Sequence, residues 1–478
     1  MTDLSKFFKA YDVRGTVPEL TAEIYYLVAQ GLVETILKPE GLPLTVNMCR
    51  DVRYSSPEFY KAFYNGLLSV GATPIAIGFG PSELLYAACQ VNDFAGAMIT
   101  ASHNPKDDNG IKMVKKVPQM LGIESGLASI RDYVIEKMEA GFNIDLVDMV
   151  EVQEDGEFHN QVVEYLFNTF KTVGQVDTIN SILTKTDKKL KIVADTANGM
   201  GGFLMPFIAK MYPNIEFVPM FWELDGNFPN HPADPMAGEN IKFLQEKVLE
   251  VGADLGIAFD GDADRAFFVD EKGERINGEF LVPAFAKYMV KEAISKPELG
   301  LDPAVVFPVS YSRATLDTVY ENNGIPVGAK QGHTFIKTKM KKYNAVYGGE
   351  ASGHHYFGQF GFMDSGALTV SLMIRILVEN NQKSSTVLDY WTSKYFVSGE
   401  HNFKLVDGLT MPIIREKLLS TYSDATISEM EGITIYYPEW KVTVRGSNTE
   451  PLIRVNVEYK GVDKVMEKLE EVKKVVGV

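Results

Sequence analysis

A chain of 478 residues is too long for one ordinary hydrophobic core, and at roughly 100 to 200 residues per domain it predicts about three or four domains. Hydrophobic residues make up 45% of the sequence and charged residues 23%, values that exclude extended disorder and indicate a folded, soluble chain. The formal net charge is −16 and there is no concentrated basic patch, which excludes nucleic acid and anionic membranes as partners.

The two cysteines, Cys49 and Cys89, lie in apolar surroundings without the spacing of a zinc site. We therefore expect buried free thiols and no disulfide. The first residues lack the apolar stretch of a signal peptide, and no apolar run reaches the roughly 18 residues of a membrane span. A cytoplasmic location is the resulting expectation.

The chain begins with an alternation of short apolar runs and segments of helical periodicity, which is typical of βαβ units. It predicts strands at 44–48, 74–77 and 95–99 and helices at 57–70 and 83–91. The same rhythm recurs at 190–259 and at 304–347, so three successive α/β units are predicted.

After about residue 395 the pattern changes to an α+β mixture, close to a polar stretch at 380–385. It predicts strands near 432–437, 441–445 and 451–459, followed by a charged helix at 462–475. A distinct C-terminal domain is therefore expected.

Ser102 lies in the segment Thr-Ala-Ser-His-Asn-Pro, directly after the apolar strand at 96–99. Loops at the carboxyl ends of strands are where α/β proteins bind ligands, and a serine there can carry a phosphoryl group covalently. Serine, asparagine and proline also favour turns, so an ordinary turn is the alternative interpretation of this loop by itself.

Asp260, Asp262 and Asp264 alternate after another apolar strand, and three carboxylates so close repel one another unless a cation lies among them. The spacing resembles an EF-hand, with Glu271 at the twelfth position. However, Arg265 stands where that loop requires glycine, and the flanking residues are typical of strands. A three-carboxylate site suited to Mg²⁺ is the better interpretation.

Two later loops carry polar groups suited to a sugar phosphate. Glu350 and Ser352 stand two residues apart in a glycine-bounded loop and could bind paired sugar hydroxyls, although a plain turn explains them equally well. The segment 445–449 combines a guanidinium, hydroxyls, an amide and backbone N–H groups suited to a phosphate. A solvated hairpin loop is its alternative.

Taken in order, these four loops resemble those of the α-D-phosphohexomutase superfamily, in particular its bacterial and archaeal phosphomannomutase/phosphoglucomutase members. The similarity spans nearly the whole chain and includes segments 8–15, 226–231 and 332–337. It implies three similar α/β domains and a C-terminal α+β domain around a central cleft. The implied boundaries are 1–155, 156–272, 273–393 and 394–478.

The resemblance also implies roles for individual residues. Ser102 would be the phosphoserine and, with Asp260, Asp262 and Asp264, would hold the metal ion. The implied catalytic residues beside Ser102 are Arg14, His103, Arg265 and Lys112, with Lys112 as the general base. The implied substrate-binding residues are Tyr11, His333, Glu350, Ser352, His354, Arg445, Ser447, Asn448 and Thr449.

The implied reaction interconverts hexose 1-phosphate and hexose 6-phosphate, of mannose, glucose or both, through the phosphoserine and a hexose 1,6-bisphosphate. The implied cofactor is Mg²⁺, with glucose or mannose 1,6-bisphosphate as activator. Small sugar phosphates are the expected partners, and the chain is expected to be a monomer or a dimer.

Some positions depart from the family pattern. Ser310 stands where dual-specific relatives carry a substrate-contacting lysine, while Ala263 replaces a glycine and Ala351 a methionine, two changes expected to leave their loops undisturbed. A phosphoglucosamine mutase is the nearest rival within the superfamily, disfavoured because Asn448 replaces the usual glycine. A metal-dependent sugar-phosphate phosphatase is the rival from another class, and a catalytically dead sugar-phosphate binder is the third reading.

Overall fold

The computed structural model describes residues 3–144, 148–186, 189–406, 408–446 and 452–478. The chain forms two compact units. The larger contains Met1–Ile276 and Ser352–Ser385, and the smaller contains Asn277–Ala351 and Thr386–Val478. Among the described residues, no helix is both long enough and apolar enough to cross a membrane.

The first sheet of the larger unit confirms the predicted βαβ pattern. Its strands run in the order β1-β5-β4-β2-β3, with β6 beside β5, and β2 is parallel to both β3 and β4. The strands are β1 (Val13–Thr16), β2 (Thr45–Arg50), β3 (Thr73–Phe79), β4 (Ala95–Ile99), β5 (Asp108–Lys116) and β6 (Gln119–Met120). The helices are α1 (Ala22–Gly31), continued by a π-helical turn at Leu32–Leu37, α2 (Ser56–Ser69), α3 (Ser82–Asn92) and α4 (Leu127–Glu139).

The core of this sheet lies under α1 and α2. Phe59, Phe63 and Leu67 recur every four residues along α2 and are buried, so one face of the helix is apolar. The ring of Tyr25 on α1 stacks on Phe59 with the centroids 4.1 Å apart. Cys49 is buried and free, as is Cys89, which confirms the expectation for the thiols.

The second sheet runs in the order β10-β9-β7-β8. Its elements are α5 (Gly156–Val173), α6 (Val176–Leu183), β7 (Leu190–Asp195), α7 (Gly201–Met211), β8 (Ile215–Met220), α8 (Lys242–Val251), β9 (Leu255–Phe259) and β10 (Ala266–Asp270). β9 and β10 are antiparallel, with Phe259 opposite Ala266, so strands and not helices flank the aspartate loop. The rejection of an EF-hand is confirmed.

The third α/β unit follows in the smaller compact unit. Its elements are α9 (Gly278–Ser295), β11 (Asp302–Pro308), α10 (Arg313–Glu321), β12 (Ile325–Ala329), α11 (His333–Lys342) and β13 (Ala345–Gly349). β11 pairs in parallel with both β12 and β13, which confirms the third predicted βαβ repeat. The chain then returns to the larger unit with β14 (His355–Phe357), β15 (Met363–Asp364) and α12 (Gly366–Asn380).

The remaining chain forms the α+β arrangement predicted after residue 395. Its elements are α13 (Asp389–Thr392), β16 (Phe396–Lys404), α14 (Met411–Thr421), β17 (Thr426–Ser428), β18 (Ile433–Tyr436), β19 (Trp440–Gly446), β20 (Leu452–Tyr459) and α15 (Val462–Val476). The sheet is antiparallel in the order β16-β20-β19-β18-β17. Its core joins Leu418 of α14, Leu469 of α15 and alternating valines of β19 and β20.

Candidate active site

Ser102 lies where the sequence predicts, in the turn between β4 and β5. Its backbone adopts a left-handed conformation with φ of 51°, which is uncommon for a residue with a side chain. The Ser102 amide donates to the Thr100 hydroxyl at 2.9 Å. Its own hydroxyl donates to Oδ2 of Asp260 at 3.0 Å. The serine is therefore aimed at the aspartate loop.

The two loops meet backbone to backbone. A Cβ placed on Gly261 would lie 2.3 Å from the Ser102 carbonyl oxygen, so only glycine allows this approach. Ala263, two residues later, has φ of 64°, a left-handed conformation that costs a residue with a side chain about 1 kcal/mol. The loop therefore keeps its turn at Ala263 under local backbone strain.

The carboxylates of Asp260, Asp262 and Asp264 form a buried cluster whose oxygens lie within 4.8 Å of one another. Oδ1 of Asp262 and Oδ1 of Asp264 are buried and accept no hydrogen bond from the described residues. Such oxygens are the hard ligands that Mg²⁺ prefers. The residues present therefore fit a divalent cation.

Lys112 on β5 extends into this cluster. Its Nζ donates to Oδ2 of Asp262 at 2.5 Å and to Oδ2 of Asp264 at 2.7 Å. Burial opposes the charged form, but the carboxylates outweigh it and raise the pKa of Lys112 above its ordinary value. The same contacts lower the pKa of Asp262 despite its burial. In this arrangement Lys112 is an ammonium, whereas the expected general base needs a neutral amine.

Arg265 connects the aspartate loop with the serine loop. Its Nε donates to Oδ2 of Asp260 at 2.8 Å, and its Nη2 lies 3.4 Å from the Ser102 hydroxyl and donates to Nδ1 of His103. Burial, and then the charges of Arg265 and Arg14, lower the pKa of His103 to about 3. His103 is therefore a neutral imidazole that accepts from the guanidinium.

Arg14 and Tyr11 flank the serine loop from the N-terminal side. Arg14 on β1 stands opposite Gly110 of β5, and its Nη1 donates to Oδ1 of Asn104 at 2.8 Å. Its Nη2 donates to the Asp12 carboxylate. Tyr11 lies in the partly exposed turn just before β1. Arg14 thus adds a cation beside the loop that carries Ser102.

His354, in the loop that also carries Ser352, lies close to the cluster of three aspartates. Its Nδ1 lies 2.9 Å from Oδ2 of Asp364 and 3.9 Å from Oδ1 of Asp264. Burial opposes the charged imidazole, but the two carboxylates raise the pKa of His354 overall. Ser352, two residues earlier, lies partly buried in the same loop. The larger unit therefore gathers the serine, the aspartates and the cationic residues.

The other expected substrate residues belong to the smaller unit. Oε1 of Glu350 accepts from the Gly332 amide at 2.9 Å, which holds this carboxylate at the turn where His333 begins α11. The Ser310 hydroxyl donates to Oε2 of Glu431 at 3.0 Å. Arg445 is half-buried at the end of β19 and donates to Glu400. Ser447, Asn448 and Thr449 lie outside the described residues.

The site is also supported by residues that the sequence did not reveal, in the loop before α2 and at the start of α3. The Ser82 hydroxyl, at the start of α3, donates to Oδ2 of Asp262 at 2.7 Å. Glu83 accepts from the Ser365 hydroxyl and from the Ala367 amide, and burial raises its pKa to about 8. Arg53 is wholly buried against the serine loop. Their only sequence signal is a position just after a strand.

Models of the family described as phosphoglucomutase/phosphomannomutase match most of this chain. Its α/β/α domain I matches residues 5–138, domain II residues 170–273 and domain III residues 277–395. The chain belongs to this family. It is therefore a member of the α-D-phosphohexomutase superfamily and a mutase, which confirms the resemblance found in the sequence.

Relatives in the family align over nearly the full length of the chain. The "Phosphohexose mutases" protein of Xanthomonas campestris pv. campestris (strain B100) is 35% identical over 95% of each chain. The phosphomannomutase of Vibrio cholerae serotype O1 is 34% identical over 98% of each chain. The phosphomannomutase/phosphoglucomutase of Pseudomonas aeruginosa is 32% identical over 95% of this chain and 92% of its own.

Solved structures agree on the fold. A phosphoglucomutase/phosphomannomutase family protein from Burkholderia thailandensis matches with a TM-score of 0.76 at 24% identity, over 98% of this chain and 97% of its own. Parafusin, a phosphoglucomutase from Paramecium, matches with a TM-score of 0.72 at 14% identity, over 98% of this chain and 94% of its own. These likenesses support the three α/β domains and a C-terminal α+β domain.

Proposed function

We propose that this mutase interconverts hexose 1-phosphate and hexose 6-phosphate through a phosphoserine at Ser102 and a hexose 1,6-bisphosphate. The observation that carries the proposal is the hydrogen bond of 3.0 Å from the Ser102 hydroxyl to Asp260, within a cluster of three buried carboxylates. A serine that only closed a turn would have no reason to face such a cluster.

Each transfer exchanges one P–O bond for another. The bond between phosphorus and Oγ of Ser102 breaks, and a new bond forms to the free hydroxyl oxygen of the sugar monophosphate. The bisphosphate then turns over and returns its other phosphoryl group to the serine. Because a phosphoryl transfer needs little covalent assistance, its rate depends mainly on positioning and charge stabilisation.

The cationic side chains around Ser102 suit that task. The Nη2 of Arg265 lies 3.4 Å from the serine oxygen, so Arg265 can stabilise charge on the phosphoryl oxygens. Arg14, which donates to Asn104 of the same loop, provides a second guanidinium. Mg²⁺ bound by Ser102 and the three aspartates would neutralise further charge on the same oxygens.

The role of Lys112 depends on its protonation state: a charged ammonium stabilises negative charge, and a neutral amine can act as the general base. As the ammonium seen here it is one more cation beside the carboxylates. To accept the proton of the sugar hydroxyl it must first become neutral, and a cation held at the same carboxylates favours that by repelling the ammonium charge. Base catalysis by Lys112 and metal binding are therefore linked.

We infer that the substrates are the 1-phosphates and 6-phosphates of mannose and glucose. Relatives named phosphomannomutase and phosphomannomutase/phosphoglucomutase support this class. Glu350 and Ser352 offer a carboxylate and a hydroxyl for two neighbouring sugar hydroxyls, and Arg445 offers a guanidinium for the distant phosphate. We also propose that the boundaries between the four domains lie after residues 155, 272 and 393.

The test is covalent labelling of the intact protein. After incubation with glucose 1,6-bisphosphate and Mg²⁺, the wild-type mass should increase by one phosphoryl group. Ser102→Ala should stay unlabelled and lose several orders of magnitude in turnover, since its loop offers no other activated hydroxyl. Ser129→Ala, on the exposed face of α4, is the matched control and should behave as wild type.

Two outcomes would contradict the proposal. A labelled, active Ser102→Ala protein would place the phosphoryl group on another residue. Steady release of inorganic phosphate by the wild type, without formation of the isomeric sugar phosphate, would indicate the phosphatase instead.

A further inference from the structure

Arg53 lies in the loop between β2 and α2, and its side chain has no exposed surface. β2 pairs in parallel with β4, with Arg50 opposite Ile99, so the loops that follow these two strands begin side by side. One of these loops carries Arg53 and the other carries Ser102. A buried guanidinium is costly unless its charge and its donors are satisfied.

All five N–H donors of the Arg53 guanidinium are used. Nε donates to Oδ2 of Asp51 (3.1 Å), Nη1 to the carbonyl oxygens of Pro105 (2.5 Å) and Asp108 (3.0 Å), and Nη2 to those of Ser102 (2.8 Å) and Asn104 (2.7 Å). Four of the five acceptors are thus carbonyls of the turn that holds Ser102. One of them belongs to Ser102 itself.

The counter-charge of Arg53 is itself fixed in place. Oδ1 of Asp51 accepts from the Arg53 amide at 3.0 Å and from the Ser56 hydroxyl at 2.6 Å, at the start of α2. The Phe228 ring lies 5.2 Å from the guanidinium carbon. The start of the helix, the carboxylate and the aromatic ring therefore hold the guanidinium in place.

This contact explains how the turn keeps a conformation that its own residues disfavour. Ser102 has a left-handed backbone and is buried, and its carbonyl oxygen lies close to Gly261. A buried carbonyl without a donor would destabilise the turn. Arg53 supplies that donor and also fixes the carbonyls at 104, 105 and 108.

We propose that Arg53 is the positioning residue of the serine loop: its guanidinium holds the backbone of residues 102–108 so that the Ser102 hydroxyl points at Asp260. The catalytic part of this inference rests on the proposed role of Ser102 in phosphoryl transfer. The ordering of the loop by Arg53 is independent of that role. Lysine cannot replace arginine here, because a single ammonium has three donors and lacks the planar fork that spans four carbonyls.

The test compares Arg53→Lys with wild type in two independent measurements. Hydrogen exchange of the amides at 100–108 should accelerate at least about tenfold in the variant, while α4 keeps its wild-type exchange. The rate of Ser102 phosphorylation by glucose 1,6-bisphosphate, and kcat, should fall by about a hundredfold. KM should change by less than about threefold, because the substrate-binding loops are untouched.

Arg375→Lys is the matched control. Arg375 is a mostly buried arginine of the larger unit that donates to Glu379 within α12, away from the serine loop. Its replacement should lower thermal stability without changing exchange at 100–108 or the phosphorylation rate. A loss of kcat in Arg53→Lys that the control matches would overturn the inference, because it would reflect stability alone.

The outcomes separate the two proposals. Wild-type protein that stays unlabelled would contradict the proposed function. The exchange measurement would still test whether Arg53 orders the serine loop. Wild-type exchange and labelling in Arg53→Lys would overturn the role of Arg53. If Arg53→Lys does not fold, Asp51→Asn is the alternative variant, because it removes only the counter-charge that holds the Arg53 guanidinium. It should show faster exchange at 100–108 and slower Ser102 phosphorylation, both by smaller factors than Arg53→Lys. Wild-type values of Asp51→Asn in both measurements would then overturn the inference.

Discussion

Ser102 and Asp260, 158 positions apart in the sequence, are joined by a hydrogen bond of 3.0 Å from hydroxyl to carboxylate. In the same cluster, Oδ2 of Asp260 also accepts from Arg265, whereas Oδ2 of Asp262 and of Asp264 accepts from Lys112. Burial raises the pKa of Asp260 to about 6, although Arg265 opposes that rise. The Asp260 carboxylate thus accepts from the serine, while those of Asp262 and Asp264 accept from Lys112.

Asp262→Asn should weaken the binding of Mg²⁺ without unfolding the protein. The amide can still accept from Lys112 and Ser82, but it removes one negative charge and one hard ligand from the cluster. We expect the Mg²⁺ concentration for half-maximal activity to rise by more than about tenfold. Activity titrated with MgCl₂ after chelation measures this effect.

Asp225→Asn is the control for the metal titration. Asp225 is a partly exposed carboxylate of the same α/β unit that accepts from the Tyr54 hydroxyl. Its variant should show the wild-type Mg²⁺ requirement. Full wild-type activity after exhaustive chelation would refute the metal site altogether.

Glu271 should make the stability of the larger unit depend on acid pH. Burial alone would raise its pKa, but hydrogen bonds from the Ser385 hydroxyl, its amide and the Ser384 hydroxyl lower the pKa to about 2. The folded state therefore favours the carboxylate. Its contribution is present above the unfolded pKa near 4.5 and is lost as the pH falls through about 2.

Glu271→Gln tests that linkage. At pH 7 the variant should unfold at a lower temperature than wild type, and the difference should shrink as the pH falls from about 4.5 toward 2. Calorimetric melting of both proteins across this range is the measurement. A difference in Tm that does not change with pH would contradict the role of the ionised carboxylate.

Local sequence pattern was sufficient for the βαβ repeats, for the C-terminal α+β pattern and for the loops that follow their strands, but not for the residues that support those loops. The strands before Ser102 and Asp260 were predictable because apolar runs end where polar residues begin. Arg53 and Ser82 gave no comparable signal, because a buried cation or hydroxyl looks like a surface residue until its acceptors are known. The charged state of Lys112 likewise depends on two carboxylates about 150 positions away.

Mannose and glucose 1-phosphates should both be turned over. The two sugars differ only at the 2-position, and Glu350 and Ser352 are proposed to bind the 3- and 4-hydroxyls, which are the same in both. Comparison of kcat/KM for the two substrates, with glucosamine 1-phosphate alongside, tests this. A preference above about a thousandfold, near 4 kcal/mol, would mean that another residue reads the 2-position.

Arg445→Ala should weaken phosphate binding and slow turnover. A guanidinium that makes charge-assisted contacts to a phosphate contributes about 1.5 to 3 kcal/mol, so kcat/KM should fall by roughly tenfold to a few hundredfold. The phosphate is distant from the reacting hydroxyl, so part of its binding energy should be used in the transition state and not only in ground-state affinity, and kcat should fall as KM rises. Labelling of Ser102 by the bisphosphate should stay detectable.

Arg454→Ala separates phosphate binding from the loss of an ion pair. Both arginines contact Glu400, Arg445 through Nη2 and Arg454 through Nη1, and their side chains are equally exposed, at 35%. Removal of either one leaves Glu400 with one cationic partner among the residues that the structure describes, so a purely structural effect should be alike in the two variants. Only Arg445→Ala should lose activity, because Arg445 belongs to the segment 445–449 that is expected to bind the phosphate and Arg454 does not. Single-turnover kinetics on both variants measures the difference. Equal losses would assign the effect to Glu400 and the sheet. A rise in KM with unchanged kcat in Arg445→Ala would mean that Arg445 binds substrate and transition state equally, which would contradict the expected fall in kcat.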